Sequence, residues 1–524
     1  MEQDNRALIF SHEAREELLE GVNLLADAVK TTMGPSGQNV IIECANGPPI
    51  LTKDGVTVAR SINLKDSYKN LGVQLIKEAA SRTAEVAGDG TTTATVLSQA
   101  LFQEGMKLLA SGYNSVKVRK GMISAKDQIL QQLDDISRPI NGDEDLINVG
   151  TISANGDREV GEFLCEAMNK VGKDGIITVE EAKGFNTSLE VVDGLKLNRG
   201  FVSPYFVTNN DKMVCELENP LVLLANQVIT SMNDLLPVLE ICHRDGKPLV
   251  LIADEIDGEV LKALVLNSIK GVLKICVLRS PEFGDARIDT MSDLALIFNT
   301  RCYSSAEELP TKLEELGRVK RVIVSRYESI FVTSKKSEEV ESRTAALKDK
   351  LNSPMVENNE LDVLRRRLSN LAGAVAVLRV GGSTETELKE KKDRVEDALH
   401  ATQAAVEEGI LPGGGLALLR ASRRVKNKNT KDLDFNAGFN MVLEAVKYPL
   451  WNITENSGES PELIIHKVLE KQDFVGYDAR SKKFGNLLDL GIIDPKKVVR
   501  CALENSVAAA NSLLSIGCSI TFDK

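Results

Sequence analysis

The sequence predicts a multidomain protein of the α plus α/β class, with a largely helical block at each end and an α/β block between them. Three observations carry this reading. Apolar residues recur at helical spacing through residues 11–137 and again beyond 412. Between 176 and 324, short β-rich runs alternate with helical segments, the sign of an α/β unit. A length of 524 residues also implies about three domains.

Residues 11–33 read as an amphipathic helix, with Ser11 as its N-cap and Leu18, Val22, Leu25 and Val29 on one face. It stops at Gly34-Pro35-Ser36-Gly37, a turn-forming cluster. Asn39–Glu43 and Pro49–Thr52 flank a Cys-Ala-Asn-Gly-Pro segment and suggest a hairpin. Lys53-Asp54-Gly55 follows. Helices are expected at 69–87, 91–111 and 115–137, and the block closes at Ser137–Gly142. In the middle, strands are expected at 176–179, 189–192, 221–225, 248–253, 273–278 and 321–324, and helices at 233–243, 257–270 and 306–316. Arg199–Phe206 is aromatic and loop-like. Residues 338–372 are charged and read as a solvated helical pair. A strand at 374–380 leads into a long helix, 385–408, closed by Gly409. From Pro412-Gly-Gly-Gly415 onward the pattern is mostly helical. The two end blocks can form one domain with the middle inserted, a pairing that periodicity leaves open.

The central motif is Val86-Ala-Gly-Asp-Gly-Thr-Thr-Thr-Ala-Thr-Val-Leu97, a helix end, a glycine turn and a new helix. Gly88 and Gly90 can take backbone angles that a Cβ forbids. Thr91, Thr92 and Thr93 can cap the next helix, on which Ala94, Leu97, Leu101 and Leu108 recur. A helix N-terminus favours an anion. Asp89 beside it is out of place unless a divalent cation bridges acid and anion, as Mg2+ does between carboxylates and phosphates; a plain N-capped helix after a glycine turn is the alternative from this stretch alone.

The bulk properties exclude several classes. Lys and Arg number 64 and Asp and Glu 76, a formal net charge of −12. That balance argues against nucleic acid or an anionic membrane surface as the main partner. No secretory signal is visible, and no apolar run approaches the roughly 18 residues of a membrane span. The eight cysteines are scattered without a C-x-x-C pair, and the four histidines lie far apart. Zinc spacing and a disulfide framework are absent, so reduced and mostly buried thiols in a cytoplasmic compartment are expected. His400 reads as a packing or surface residue. There is no Walker A or kinase signature, which removes the commonest small-substrate ATP enzymes.

Helix 257–270 carries Val260, Leu261, Ala263, Leu264, Val265, Leu266 and Ile269, more apolar surface than one stripe needs. Helix 233–243 is similar, with Leu235, Leu236, Val238, Leu239 and Ile241. Either both are wholly buried or the surplus faces a partner.

Thr32-Met-Gly-Pro35, Lys53-Asp-Gly55, Asp89-Gly-Thr-Thr-Thr93, Gly150-Thr-Ile-Ser-Ala-Asn155, Arg394-Val-Glu-Asp-Ala-Leu-His-Ala401 and Gly413-Gly-Gly415 together resemble the group I, bacterial-type (GroEL-like) chaperonins, in order and over essentially the whole chain. The resemblance implies a helical equatorial domain from 1–135 and 408–524, a small α+β intermediate hinge from 136–192 and 376–407, and an α/β apical domain at 193–375. It also implies a homo-oligomeric ring that folds non-native proteins in its cavity, driven by ATP hydrolysis with Mg2+, with K+ as an optional second ion. It places the nucleotide among Thr32, Met33, Gly34, Pro35, Lys53, Asp89, Gly90, Thr91, Thr92, Thr93, Gly414, Asp478, Ala479, Arg480 and Asp494. Asp89 would hold the metal, and Asp54 and Asp397 would position and activate the attacking water. The implied client surface is Phe201, Tyr205, Phe206, Leu236, Leu239, Leu261, Val265 and Leu266, shared with a lid-like co-chaperonin.

The sequence departs from that family's pattern in three places. Trp451 and Ser460 replace an Arg and a Glu that pair between rings, which brings a single ring into play beside the double one. The Gly-Met-rich tail is not found after Ile520-Thr-Phe-Asp-Lys524. Asp478 and Arg480 stand where an Asn and an Ala sit near the adenine. A ring-forming holdase or scaffold with weak or uncoupled ATPase is the alternative these changes keep open.

Overall fold

The computed structural model describes residues 6–43, 49–172, 176–182, 184–210, 212–282, 284–304, 309–310, 312–333, 338–351, 363–364, 367–368, 370–371, 373–426 and 430–522. The chain divides into two compact units. One comprises Met1–Glu166, Glu181–Asn186 and Val380–Lys524, the other Ala167–Glu180 and Thr187–Arg379.

In the first unit both ends of the chain meet. Strand Arg6–Phe10 pairs antiparallel with Cys518–Phe522, Leu8 opposite Ile520. This pairing displaces the expected cap. The strand runs to Phe10, the Ser11 N–H donates to the Gly517 carbonyl at 2.8 Å, and Ser11 is the first residue of helix Ser11–Lys30. Leu18, Val22, Leu25 and Val29 are buried as their spacing predicts. They join one core with residues of helices Ser67–Ala87, Thr91–Ala110, Ser115–Ile136, Leu433–Ala445 and Lys496–Leu514. The hairpin is present as Val40–Ile42 against Ile50–Thr52.

Beyond residue 408 the helices are interrupted by short pairings. Ile410–Pro412 runs against Ile493–Pro495, and Val475–Asp478 against Lys483–Asn486. The buried Arg420 guanidinium lies against the segment from Val468 to Val475. Its Nη2 donates to the carbonyls of Val468, Lys471, Gln472 and Val475 at 2.7 to 3.2 Å.

One ion pair in this unit makes a prediction. Arg138 grips Asp145 with two parallel bonds of 2.6 and 2.9 Å, and the Asn141 N–H adds a third at 2.8 Å. Burial pushes the Asp145 carboxyl up, but Arg138 and that N–H outweigh it and hold the group below the usual carboxylate range. A depressed carboxylate stabilises the fold at pH values above its unfolded pKa of roughly 4, and that contribution is lost as pH falls through the lower folded value. Asp145→Asn is therefore expected to cost about 1–3 kcal/mol at pH 7 and progressively less in acid below about pH 4, read from urea midpoints across pH.

The second unit holds a mostly parallel sheet in the order Cys302–Ser304, Leu221–Ile229, Leu249–Ile256, Ile275–Arg279, with Gly317–Arg318 antiparallel on the Leu221 strand. Its central strands are buried on both faces, as a parallel sheet covered by helices requires. A second sheet runs Ile176–Glu181, Ala374–Val380, Ser188–Leu197, Ser329–Val332, Arg321–Val324, Cys215–Glu218, antiparallel from Ala374–Val380 onward. Helices Met232–Asp245 and Gly258–Ile269 match expectation.

The expected helix 306–316 is not found among the described residues. Among the described residues that region offers only the 3-10 turn Leu313–Glu315, while 306–308 and 311 lie outside them. A helix that the pattern did not announce, Gly284–Phe298, packs on the core instead. Seven described cysteines are free thiols, and Cys44 falls outside the described residues.

Candidate functional site

The site is built on the turn between two helices of the first unit. Ser67–Ala87 ends on Gly88 (φ 74°) and Thr91–Ala110 starts after Gly90 (φ 89°). Both angles are left-handed, which only glycine adopts without strain. The Gly90 cap carries no side-chain hydrogen bond, so the expected threonine capping does not occur. A Ser or Thr cap needs an extended backbone. Here Thr91, Thr92 and Thr93 already lie inside the first helical turn, and the helix end keeps its outward-facing amides. That is the geometry that binds anions.

Four carboxylates from four distant segments converge there. Asp89 lies in the turn itself, where its Oδ1 accepts the Gly90 N–H. Asp54 caps helix Gly55–Ser61, accepting from the Val56 and Thr57 amides at 3.0 and 2.8 Å and from the Thr57 hydroxyl at 2.6 Å. The adjoining Gly55 is wedged between helices. A Cβ there would fall 2.2 Å from the Thr92 hydroxyl and 3.5 Å from Val29. Asp397 comes from helix Glu385–Glu408, whose Val395, Ala398, Leu399, Thr402 and Ala405 are buried and Val406 half-buried. Asp494 sits on the short strand opposite Leu411, against the glycine run, where a Cβ on Gly413 would lie 2.9 Å from its Oδ1.

These acids feel one another. Burial, then the charges of Asp89 and Asp54, push Asp397 well above the usual carboxylate range. Asp89 is raised by burial, lowered by the Gly90 N–H and raised again by Asp54. Asp494 is pushed up to about 7 by burial and by Asp89, against the pull of the Gly414 N–H. Hard oxygen donors under mutual repulsion suit a hard cation such as Mg2+. Among the described residues no three His, Cys, Asp or Glu side chains form a ready-made metal cage. A cation here would therefore complete its shell with water or ligand oxygens, which is how Mg2+ usually binds.

Cations line another side. Lys53 is half-buried, and its ammonium is disfavoured first by that burial and then by Arg394 and Arg480, with Glu390 opposing. Arg394 was not among the expected site residues, although its position three before Asp397 on one helix puts the two on the same face. The Asn155–Gly156 turn was missed as well; the Arg480 guanidinium donates to the Asn155 carbonyl at 3.1 Å. Asp478 turns inward on its own loop, accepting from the Arg480 N–H at 2.9 Å and from the Ser481 hydroxyl at 2.5 Å. Ala479 is buried beside it. The Thr32–Pro35 turn is fixed by Asn456, whose amide donates to the Lys30 and Met33 carbonyls at 2.9 Å each. Thr32 and Met33 are buried and Pro35 is exposed. His400 is exposed, with its Cβ against the Gly88 turn.

The apolar surface of the second unit divides the expected client set. Tyr205 is 65% exposed, Leu266 55% and Leu236 42%. Phe201, Leu261 and Val265 are partly buried against the core. Phe206 (1%) and Leu239 (5%) belong to the core and are not surface residues. The 3-10 turn Pro204–Phe206 points Tyr205 outward and Phe206 inward, and Leu239 falls on the same helical face as Leu235 and Val238. On helix Gly258–Ile269 only Val260 and Leu264 are buried, so its surplus apolar surface does face outward. Among the described residues no helix is long and apolar enough to cross a membrane.

Two solved structures of the chaperonin gp146 from the bacteriophage EL 2 (Pseudomonas aeruginosa), both in the presence of ATP-BeFx, share this fold. Crystal form II matches with a TM-score of 0.69 at 24% identity and form I with 0.64 at 23%, each covering 99% of both chains. The architecture is that of a chaperonin subunit, with helical, α+β and α/β parts. The TCP-1/cpn60 chaperonin family matches residues 25–521, and the chain belongs to that family.

Proposed function

We propose that this chaperonin is of the group I, GroEL-like kind and uses ATP hydrolysis to fold non-native proteins captured on its apolar surface. One observation carries the reading: Asp54, Asp89, Asp397 and Asp494 gather at an uncapped helix N-terminus with Lys53 close by. Phosphoryl transfer asks a protein for little covalent chemistry. It needs charge neutralisation and a positioned water. In this reading the amides of Thr91–Thr93 and Lys53 bind the phosphates. Asp89 would hold Mg2+, which supplies neutralisation of the phosphate charge. Asp54 and Asp397 orient the water, and Asp397, with its raised proton affinity, takes the proton as the water attacks. The related phage chaperonin was crystallised with ATP-BeFx, which agrees with a nucleotide site in this fold. Carried with the reading are the three-part division with a hinge at 136–192 and 376–407, the lid co-chaperonin, the K+ ion and the cytoplasmic setting.

The client surface in this reading is Tyr205, Leu236 and Leu266, flanked by Phe201, Leu261 and Val265. Apolar burial is non-directional, so it suits varied clients. Ring assembly draws support from two strand pairs with exposed apolar faces: Leu8, Phe10, Ile520 and Phe522 on one, Ile41 and Leu51 on the other. The test is refolding of a chemically denatured client with and without ATP. Recovery that requires ATP is expected; capture without ATP-driven release would favour the holdase. Tyr205→Ser combined with Leu266→Ser is expected to weaken client capture at least tenfold while leaving ATP hydrolysis unchanged, measured by client light scattering and phosphate release.

A further inference from the structure

The Asp478–Ser481 loop is clasped to the Asn155–Gly156 turn by one side chain. The guanidinium Nη2 of Arg480 donates to the Asn155 carbonyl at 3.1 Å. The seat is shaped for it: a Cβ on Gly156 would lie 2.1 Å from that same nitrogen. The turn itself is uncommon. Asn155 (φ 57°) and Gly156 (φ 91°) are both left-handed, and for a non-glycine residue that conformation costs on the order of 1 kcal/mol unless its surroundings hold it. Three backbone bonds run through it, from the Asn155 amide to Ile152 at 3.1 Å, Gly156 to Thr151 at 2.7 Å and Asp157 to Ala154 at 3.2 Å. The other end of the clasp is anchored by Asp478, which binds the Arg480 amide and the Ser481 hydroxyl.

The rest of the Arg480 side chain is exposed, so it can swing. Its charge also reaches Lys53, the cation beside the carboxylate group. The carbonyl that holds the guanidinium is neutral, whereas a guanidinium–phosphate pair is charge-assisted on both sides and roughly twice as strong.

We propose that Arg480 is a nucleotide-responsive positioning residue, which holds the Asn155–Gly156 turn to the Asp478–Ser481 loop and yields it when a polyphosphate beside Lys53 competes for the guanidinium. This rests on the nucleotide reading above. Nucleotide occupancy would thereby loosen a turn between the helices Asp143–Ser153 and Arg158–Val171, which is a regulatory output distinct from hydrolysis.

The test is amide hydrogen exchange across 154–157 in the full-length protein, with and without Mg·ADP or Mg·ATP, alongside calorimetric nucleotide binding. In the wild type, nucleotide is expected to speed exchange at Asn155, Gly156 and Asp157 about tenfold. Arg480→Ala is expected to exchange at the fast rate from the outset and to ignore nucleotide, and Arg480→Lys, which keeps charge and donor, to restore the response. If nucleotide binds but wild-type exchange does not change, or if Arg480→Ala responds as the wild type does, the latch is wrong and the nucleotide site stands. If the wild type binds neither nucleotide, the functional reading fails and the latch with it.

Discussion

Asp397→Ala is expected to lower steady-state ATP hydrolysis by about 100-fold or more while changing nucleotide affinity only a few-fold. The argument begins with position. Asp397 is one of four acids drawn together, and it is the one carried on the long helix Glu385–Glu408. Burial and its acidic neighbours disfavour its ionised form, so it binds a proton more readily than an ordinary carboxylate. Positioned general bases contribute about 100- to 10,000-fold to rate. Removing it should spare the amides and Lys53, proposed to bind the phosphates, and Asp89, proposed to hold Mg2+. Loss should therefore appear in kcat and not in binding. Asp397→Asn keeps the shape without the base and should be nearly as slow. Phosphate release gives the rate and calorimetry the affinity. Hydrolysis at the wild-type rate in either variant removes Asp397 from the reaction, and a large loss of affinity reassigns it to binding.

How much of this was legible depended on whether the signal was local. Helix Glu385–Glu408 matches its expected bounds, with Gly409 closing it and a periodic face at Val395, Ala398, Leu399, Thr402 and Ala405. The glycine turn at 88–90 was equally plain. Helix Gly284–Phe298 was missed because its inward face includes a charge. Asp293 is buried and held by Arg343 at 2.9 Å and Arg367 at 2.6 Å, so the apolar stripe looks broken in sequence. Strands of two or three residues, such as Gly317–Arg318 and Cys302–Ser304, are too short to show any period. The carboxylate group is a long-range fact. Local pattern marked Asp54 and Asp89 as acids beside glycines, and the family resemblance alone linked them to Asp397. Phe206 and Leu239 show the opposite failure, since an apolar side chain reads the same whether it faces a core or a client.

Gly438→Val is expected to destabilise the first unit by about 3 kcal/mol or more, beyond the usual cost of an overpacked core. Helices Ser115–Ile136 and Leu433–Ala445 cross at a point where neither can carry a side chain. A Cβ on Gly121 would lie 2.1 Å from the Phe435 carbonyl oxygen, and a Cβ on Gly438 would lie 2.1 Å from the Val118 carbonyl oxygen. The obstructing atoms are helical backbone, which cannot turn aside as a side-chain tip can. The helices must separate, and Phe439, Met122 and Val442 beside the crossing lose packing on both sides. Because the two glycines face each other's helix, one separation relieves both clashes. Gly121→Ala and Gly438→Ala should therefore be strongly coupled, the double variant losing less than the sum of the singles by about 1 kcal/mol. Gly258→Ala serves as the control. That glycine opens a helix with nothing within 4 Å of its virtual Cβ, and the change should be neutral or mildly stabilising. Urea midpoints of the five variants decide it. If Gly438→Val unfolds at the wild-type midpoint, or the alanine pair adds without coupling, the helices do not meet as closely as this crossing requires.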